Sequence, residues 1–168
     1  METITPTVFK TKNNTSLLNK ISEYFTKDAR HYQITFLLIF LFFGISSLGW
    51  EVDALKFAMT FGVCIATQLA FTLFTTRDYS SVKSALISSL SLCLMFKAND
   101  LWVIGLAAFL SISSKFAFRI KGKHIFNPTN FGIIVTILFT HKAWISPGQW
   151  GSDAMLLFIV GLLGLAVL

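Results

Sequence analysis

The sequence predicts an all-α fold: a polytopic, integral membrane helix bundle of about six spans, the fifth broken at its start by Asn127-Pro128. Three observations carry this. Hydrophobic residues make up 54% of the chain and charged residues 13%, with a mean hydropathy of +0.69; a water-soluble domain of this balance would have too little polar surface to cover it. The apolar residues come in blocks separated by short polar connections. The cations sit at the ends of those blocks, a pattern of membrane topology and not of a phosphate-binding face, despite the net charge of +6.

Residues 1–33 form a polar, cytoplasmic N-terminal tail that carries Lys10, Lys12, Lys20, Lys27 and Arg30. Within it Leu17, Leu18, Ile21, Tyr24 and Phe25 recur at roughly helical spacing, which fits either an amphipathic helix on the membrane surface or a short helix in a solvated tail. The first apolar run starts near Ile34 and is expected to act as a retained signal anchor rather than a cleaved leader. Residues 34–168 are the transmembrane domain, with apolar runs at 34–50, 55–75, 82–96, 101–114, 129–140 and 154–168. A straight span needs about 20 residues. Several runs are shorter and are expected to borrow length from flanking positions, with Lys56, Lys83 and Lys115 snorkelling. The last run ends without a polar flank, from which the chain is expected to be one piece of a longer architecture.

Charge bias orients the spans. With the N-terminus in the cytoplasm, the inner side holds Lys10, Lys12, Lys20, Lys27, Arg30, Arg77, Lys83, Lys115, Arg119, Lys121 and Lys123. The outer side holds only Lys56, Lys97 and Lys142, so all 14 cations divide eleven to three. Trp50, Trp102, Trp144 and Trp150 all fall on the outer side, as an aromatic belt would. The expected location is the cell inner membrane.

The candidate site lies in the string Arg119-Ile-Lys-Gly-Lys-His-Ile-Phe-Asn-Pro-Thr-Asn-Phe-Gly132. Asn127 suits an N-cap and Pro128 the first helical position, where no N–H is needed. Proline also disfavours a helical Asn127, so a helix running through residues 115–126 must break there. The backbone N–H groups of Thr129, Asn130 and Phe131, with the helix dipole, favour an anion or an electron-rich carbonyl. Asn127 and Asn130 are spaced to face one pocket, and Lys121, Lys123 and His124 add positive charge. The blander reading has Asn127 spent on capping and the lysines marking the inner side.

The strings KGKHIFNPTNFG and AWISPGQWG resemble a family of membrane subunits found in two complexes, the Rnf electron-transport complex and the Na+-translocating NADH:quinone reductase (Nqr). DARHYQ, SALISSLSLCL and SKFAFRIKGKH fit the same family, and the likeness runs from about Asp28 to Gly151. It implies a flavin-binding membrane subunit of a redox-driven, ion-translocating electron-transport complex, an electron-transfer component rather than a stand-alone enzyme. Its implied partners are further membrane, flavin and iron–sulfur subunits. It implies a noncovalent flavin (riboflavin or FMN) near Phe126, Asn127, Pro128, Thr129 and Asn130, with Lys123 close by. Family members also esterify FMN to a threonine downstream. Here that neighbourhood reads Gly148-Gln-Trp-Gly-Ser-Asp-Ala154, and no threonine follows Thr140. No covalent flavin site is expected. The competing reading is a non-redox transport or assembly component that retains the scaffold, or an inactive half-length relative.

Other polar residues read as structural. Gln68 is expected in an interhelical hydrogen bond, and Ser84, Ser88 and Ser91 on a close-packed face. Cys64 and Cys93 lie in apolar runs without metal-ligand spacing and are expected as buried thiols. The histidines, His31, His124 and His141, are expected at interfaces. No Asp or Glu lies inside a run, which argues against a self-sufficient proton or sodium carrier, and no soluble-enzyme motif is present.

Overall fold

A computed structural model describes residues 28–75, 82–120, 123–146 and 161. It is helical apart from two short antiparallel ladders. In chain order the elements are α1 (Arg30–Ser47), α2 (Ala54–Thr75), α3 (Val82–Met95), β1 (Phe96–Ala98), α4 (Leu101–Ala117), β2 (Arg119–Ile120), β3 (Lys123–His124), α5 (Pro128–Thr140) and β4 (Ala143–Ile145). Five of the six apolar runs therefore become helices, with bounds close to those expected. The run 154–168 and the stretch 16–26 lie outside the described residues. One described helix, over Ala54–Phe74, is long and apolar enough to cross a membrane (21 residues, mean hydropathy 1.7). The helices α3, α4 and α5 are apolar but shorter.

The helices alternate in direction. α1 packs on α3, α2 lies between α3 and α4, and the closest pair is α4 with α5. One end of the bundle carries the β2–β3 hairpin, here the hairpin end. The other carries Trp50, Trp102 and Trp144, here the tryptophan end. There β1 pairs with β4, Phe96 opposite Ile145 and Ala98 opposite Ala143, and Ser146 N–H donates to Met95 O at 3.1 Å. The two ladders depart from a strictly all-α reading for a plain reason. α3 and α5 are the shortest helices, of 14 and 13 residues, and rise only about 20 Å. Beyond their ends the backbone N–H and C=O groups still need partners, and the β1–β4 ladder supplies them.

The core mixes apolar and hydroxylic residues. Between α2, α3, α4 and α5, Cys64, Ala85, Leu92, Val103, Ile104, Ala107, Ala108, Ile112 and Ile133 are buried, beside fully buried Thr72, Ser89, Ser111 and Thr136. Small residues let helix backbones approach closely. Outside stand large apolar side chains, with Phe74 90% exposed and Phe139 81%. Ile39, Leu55, Leu73, Ile134 and Leu138 are exposed with them. Cys64 and Cys93 are free and buried, as expected. Gln68 is buried and donates to Thr72 Oγ1 one turn along its own helix at 3.3 Å.

Each end has its own lock. At the tryptophan end, Trp50 lies inside rather than in a belt. Its ring packs over Gly44 and against Phe40, with centroids 6.5 Å apart. The backbone N–H groups of Trp50 and Leu48 both donate to Gly44 O at 3.2 Å. Gly49, at φ +63°, makes the reversal that only a residue without Cβ takes cheaply. Trp102 and Trp144 are about half exposed.

At the hairpin end, Lys83 at the start of α3 donates to Asp28 Oδ2 at 3.1 Å, and Arg30 N–H donates to Asp28 Oδ1 at 3.0 Å. Those two bonds, backbone first, hold the Asp28 carboxyl below its ordinary value of 3.8. A carboxyl lowered in the folded state stabilises it above the unfolded value and loses that contribution as pH falls through the folded one. The α1–α3 tie is thus present at neutral pH and fails only below the ordinary carboxylate range. Asp28→Asn is expected to flatten the acid limb of the melting midpoint from about pH 4 downward while leaving the slope near neutrality unchanged. Parallel acid limbs for wild type and variant would remove Asp28 from this role.

Candidate functional site

The Asn-Pro break forms as its residue types dictate. α4 ends at Ala117, and Phe118 N–H closes its last turn on Ser114 O. The chain then folds back as a hairpin, Arg119 opposite His124 and Ile120 opposite Lys123, and Ile125 N–H donates to Phe118 O at 3.2 Å. This return carries Phe126 and Asn127 to the foot of α5. Asn127 is extended at φ −62° and ψ 119°, as a residue before proline should be. Its side-chain Oδ1 accepts from Thr129 N–H at 3.1 Å, and Pro128 occupies the first turn.

That capping alters the donor set. Of the three N–H groups expected to be free, Thr129's is taken by Asn127 Oδ1. Phe131's goes to Asn127 O at 3.0 Å, because Phe131 is the fourth helical residue and makes the first intrahelical bond. What remains to meet a ligand is the Asn130 N–H with the amide NH2 groups of Asn127 and Asn130, both residues exposed. Thr129 is buried and Pro128 half-buried, so they shape the helix foot and do not line an open face. Lys123 is placed in β3 opposite Ile120; its side chain lies outside the described residues, as does Lys121. His124 is exposed.

Beside these donors stands an aromatic cluster that the motif alone does not reveal. Phe126, 50% exposed, meets Phe118 edge-on at 5.9 Å and Phe131 at 5.8 Å, and Phe118 meets Phe131 at 5.2 Å. Deeper in, Phe71 stacks on Phe116 at 4.6 Å and 10°, with the Arg119 guanidinium 5.1 Å above the Phe116 ring. The spacing of Phe118, Phe126 and Phe131 carries no periodic signal, since the hairpin brings the first to the others. The half-exposed rings and the asparagine amides suit a flat ring that carries hydrogen-bond acceptors on its edge. They form an open face at the end of the bundle. A cavity of about 1050 Å³ lies at the opposite, tryptophan end, between residues 48–57 and β1, with Trp144 on its wall. It shares no residue with the Asn-Pro motif and has no part in this site.

Lys115 behaves otherwise than expected. It does not snorkel: it is 6% exposed, and its Nζ donates to Ser84 O and Ser84 Oγ, both at 3.1 Å. His31, the second residue of α1, is buried among neighbouring helices, its Nε2 2.7 Å from Lys83 Nζ. No group of three or more metal-ligating side chains occurs among the described residues. The chain matches no protein-family model, no curated protein and no solved structure.

Proposed function

We propose that the chain is a polytopic inner-membrane protein of about six spans, with its hairpin end in the cytoplasm. We propose further that it serves as a flavin-binding subunit of an Rnf- or Nqr-like, redox-driven, ion-translocating electron-transport complex. The membrane reading is supported by the many large apolar side chains the bundle exposes, among them Phe42, Phe74, Leu138 and Phe139, and by the serines and threonines buried inside it. Water penalises that arrangement and a bilayer favours it. The eleven-to-three division of cations read from the sequence adds to it. The described helix ends place Arg30, Lys83, Lys115 and Arg119 at one end and Lys56, Lys97 and Lys142 at the other.

The observation that carries the flavin reading is the half-exposed Phe118–Phe126–Phe131 cluster standing next to the amides of Asn127 and Asn130. When bound, a flavin would supply the redox chemistry. The chain's residues would stack on its ring through Phe126 and donate to its carbonyl edge through the asparagines. The cap and the ligand contact can be separated by substitution. Serine caps a helix about as well as asparagine but has no amide to donate. Asn127→Ser with Asn130→Ala is therefore expected to fold with a near-wild-type melting midpoint and to lose flavin, read as the visible absorbance band of the ring and as flavin released on denaturation. Protein purified from a flavin-sufficient host that is colourless and releases no flavin would overturn the flavin reading and leave the membrane scaffold standing.

A further inference from the structure

The cavity at the tryptophan end, about 1050 Å³ in volume, has an apolar floor and a charged mouth. Thr60, Leu92, Cys93, Phe96 and Ile104 make the floor, all of them buried. Glu51, Asp53, Lys56 and Lys97 stand at the mouth. Asp53 and Lys56 are engaged with each other. Asp53 Oδ1 accepts from the N–H groups of Leu55 and Lys56 at 3.0 and 3.3 Å, and its Oδ2 lies 3.7 Å from Lys56 Nζ. Asp53 therefore serves the start of α2 and pairs with a lysine. Glu51 and Lys97 differ. Among the described residues neither side chain has a hydrogen bond or an ion pair. The β1–β4 register sets Lys97 opposite Trp144, which puts ammonium and indole on one face of the ladder, and both residues line the cavity. An unengaged carboxylate, an unengaged ammonium and a half-exposed indole thus share the mouth of one cavity.

We propose that this cavity binds a zwitterion made of a primary ammonium next to a phosphate, carried on an apolar body. Glu51 accepts from the ammonium, Lys97 donates to the phosphate, Trp144 packs against the headgroup, and the floor takes the adjoining apolar carbons. The ammonium must be primary, since a quaternary one has no N–H to donate to Glu51. Phosphatidylethanolamine carries this pair of groups at the membrane surface, and free phosphoethanolamine carries it in solution. The volume lies at the upper end of the range for small-ligand sites, about 300–1,000 Å³, which leaves room for more than the headgroup. Val52 and Leu55 at the same mouth are exposed and offer a lipid's chains apolar surface. The lipid source rests on the membrane reading. The site does not depend on flavin binding.

The test uses the whole chain purified in neutral detergent. Its melting midpoint is followed as phosphatidylethanolamine, phosphatidylcholine, phosphatidylglycerol or soluble phosphoethanolamine is added. The expected result is a saturable rise with phosphatidylethanolamine. Phosphatidylcholine, whose ammonium is quaternary, and phosphatidylglycerol, which has none, are expected to act only at about tenfold higher concentration or more. A rise with the lipid alone assigns the chains a share of the binding, and a matching rise with phosphoethanolamine assigns the headgroup alone. Glu51→Gln and Lys97→Met are each expected to weaken the response about tenfold or more, because a charge-assisted hydrogen bond is lost. Both positions are at the mouth, where substitution changes folding little. Lys142→Gln, at the same end but outside the cavity and paired with Asp100, is expected to keep the full response. No saturable rise with phosphatidylethanolamine or phosphoethanolamine, equal responses to all the lipids, or an undiminished response in either variant overturns the site. A chain recovered in the soluble fraction without detergent overturns the membrane reading instead, and the phosphoethanolamine titration then decides the site by itself.

Discussion

Gly132→Ala is expected to cost about 3 kcal/mol or more, enough to prevent accumulation of folded protein at 37 °C. α4 and α5 cross closest at this residue. A Cβ built on Gly132 overlaps Ser111 Oγ and comes within 2.6 Å of Ala107 O and 2.8 Å of Ser111 N. The hydroxyl could rotate aside, but the last two atoms belong to the backbone of α4, which gives way only if the whole helix shifts. Overpacking usually costs about 1–3 kcal/mol where side chains can adjust; here they cannot. Larger residues are expected to do worse, and Gly132→Ser no better than alanine. The measurement is the melting midpoint in detergent with the yield of monodisperse protein. A midpoint close to that of wild type would mean that the helices do not cross this closely.

At the other end, Gly44→Val is expected to expel Trp50 from its seat and cost about 1–3 kcal/mol. A Cβ on Gly44 would lie 2.5–2.6 Å from Cζ3 and Cδ2 of the indole. The ring is the far end of a side chain and has somewhere to go, which is why the expected loss is smaller than at Gly132. Its departure uncovers Phe40 and Leu94, with which it forms a small apolar cluster. With Trp102, Trp144 and Trp150 replaced by Phe, the fluorescence of Trp50 is expected to shift to longer wavelength and become open to a water-soluble quencher. An unchanged spectrum would place Trp50 at the surface, in the aromatic belt.

Those two glycines also mark the boundary of what the sequence makes legible. Five helices follow from hydropathy, and the foot of α5 follows from Asn127 and Pro128, because both signals are local. The cap forms as those two residue types require, and so does the break before it. What is not legible depends on groups distant in sequence. Lys115 reads as a snorkelling cation because its partner, Ser84, is 31 positions away on another helix. The serines of α3 read as a packing face, and nothing in their spacing distinguishes Ser84 as a lysine acceptor. Phe118 joins Phe126 and Phe131 only because the chain reverses between them. The β1–β4 ladder pairs residues nearly fifty positions apart, and such short strands leave no alternation to detect. Residue type assigns Trp50 to the belt, whereas its burial depends on having a glycine beneath it.

The β1–β4 ladder has a consequence for how such a chain is made. It joins the end of α3 to the end of α5, so everything between Ala98 and Ala143 becomes a closed loop fastened at one mouth. The fastening cannot form until α4 has run one way and α5 has come back. Until then β1 lacks this partner, and afterwards neither helix can leave alone. The ladder therefore closes after α4, the hairpin and α5 have come together, and Ala143–Ile145 fasten them.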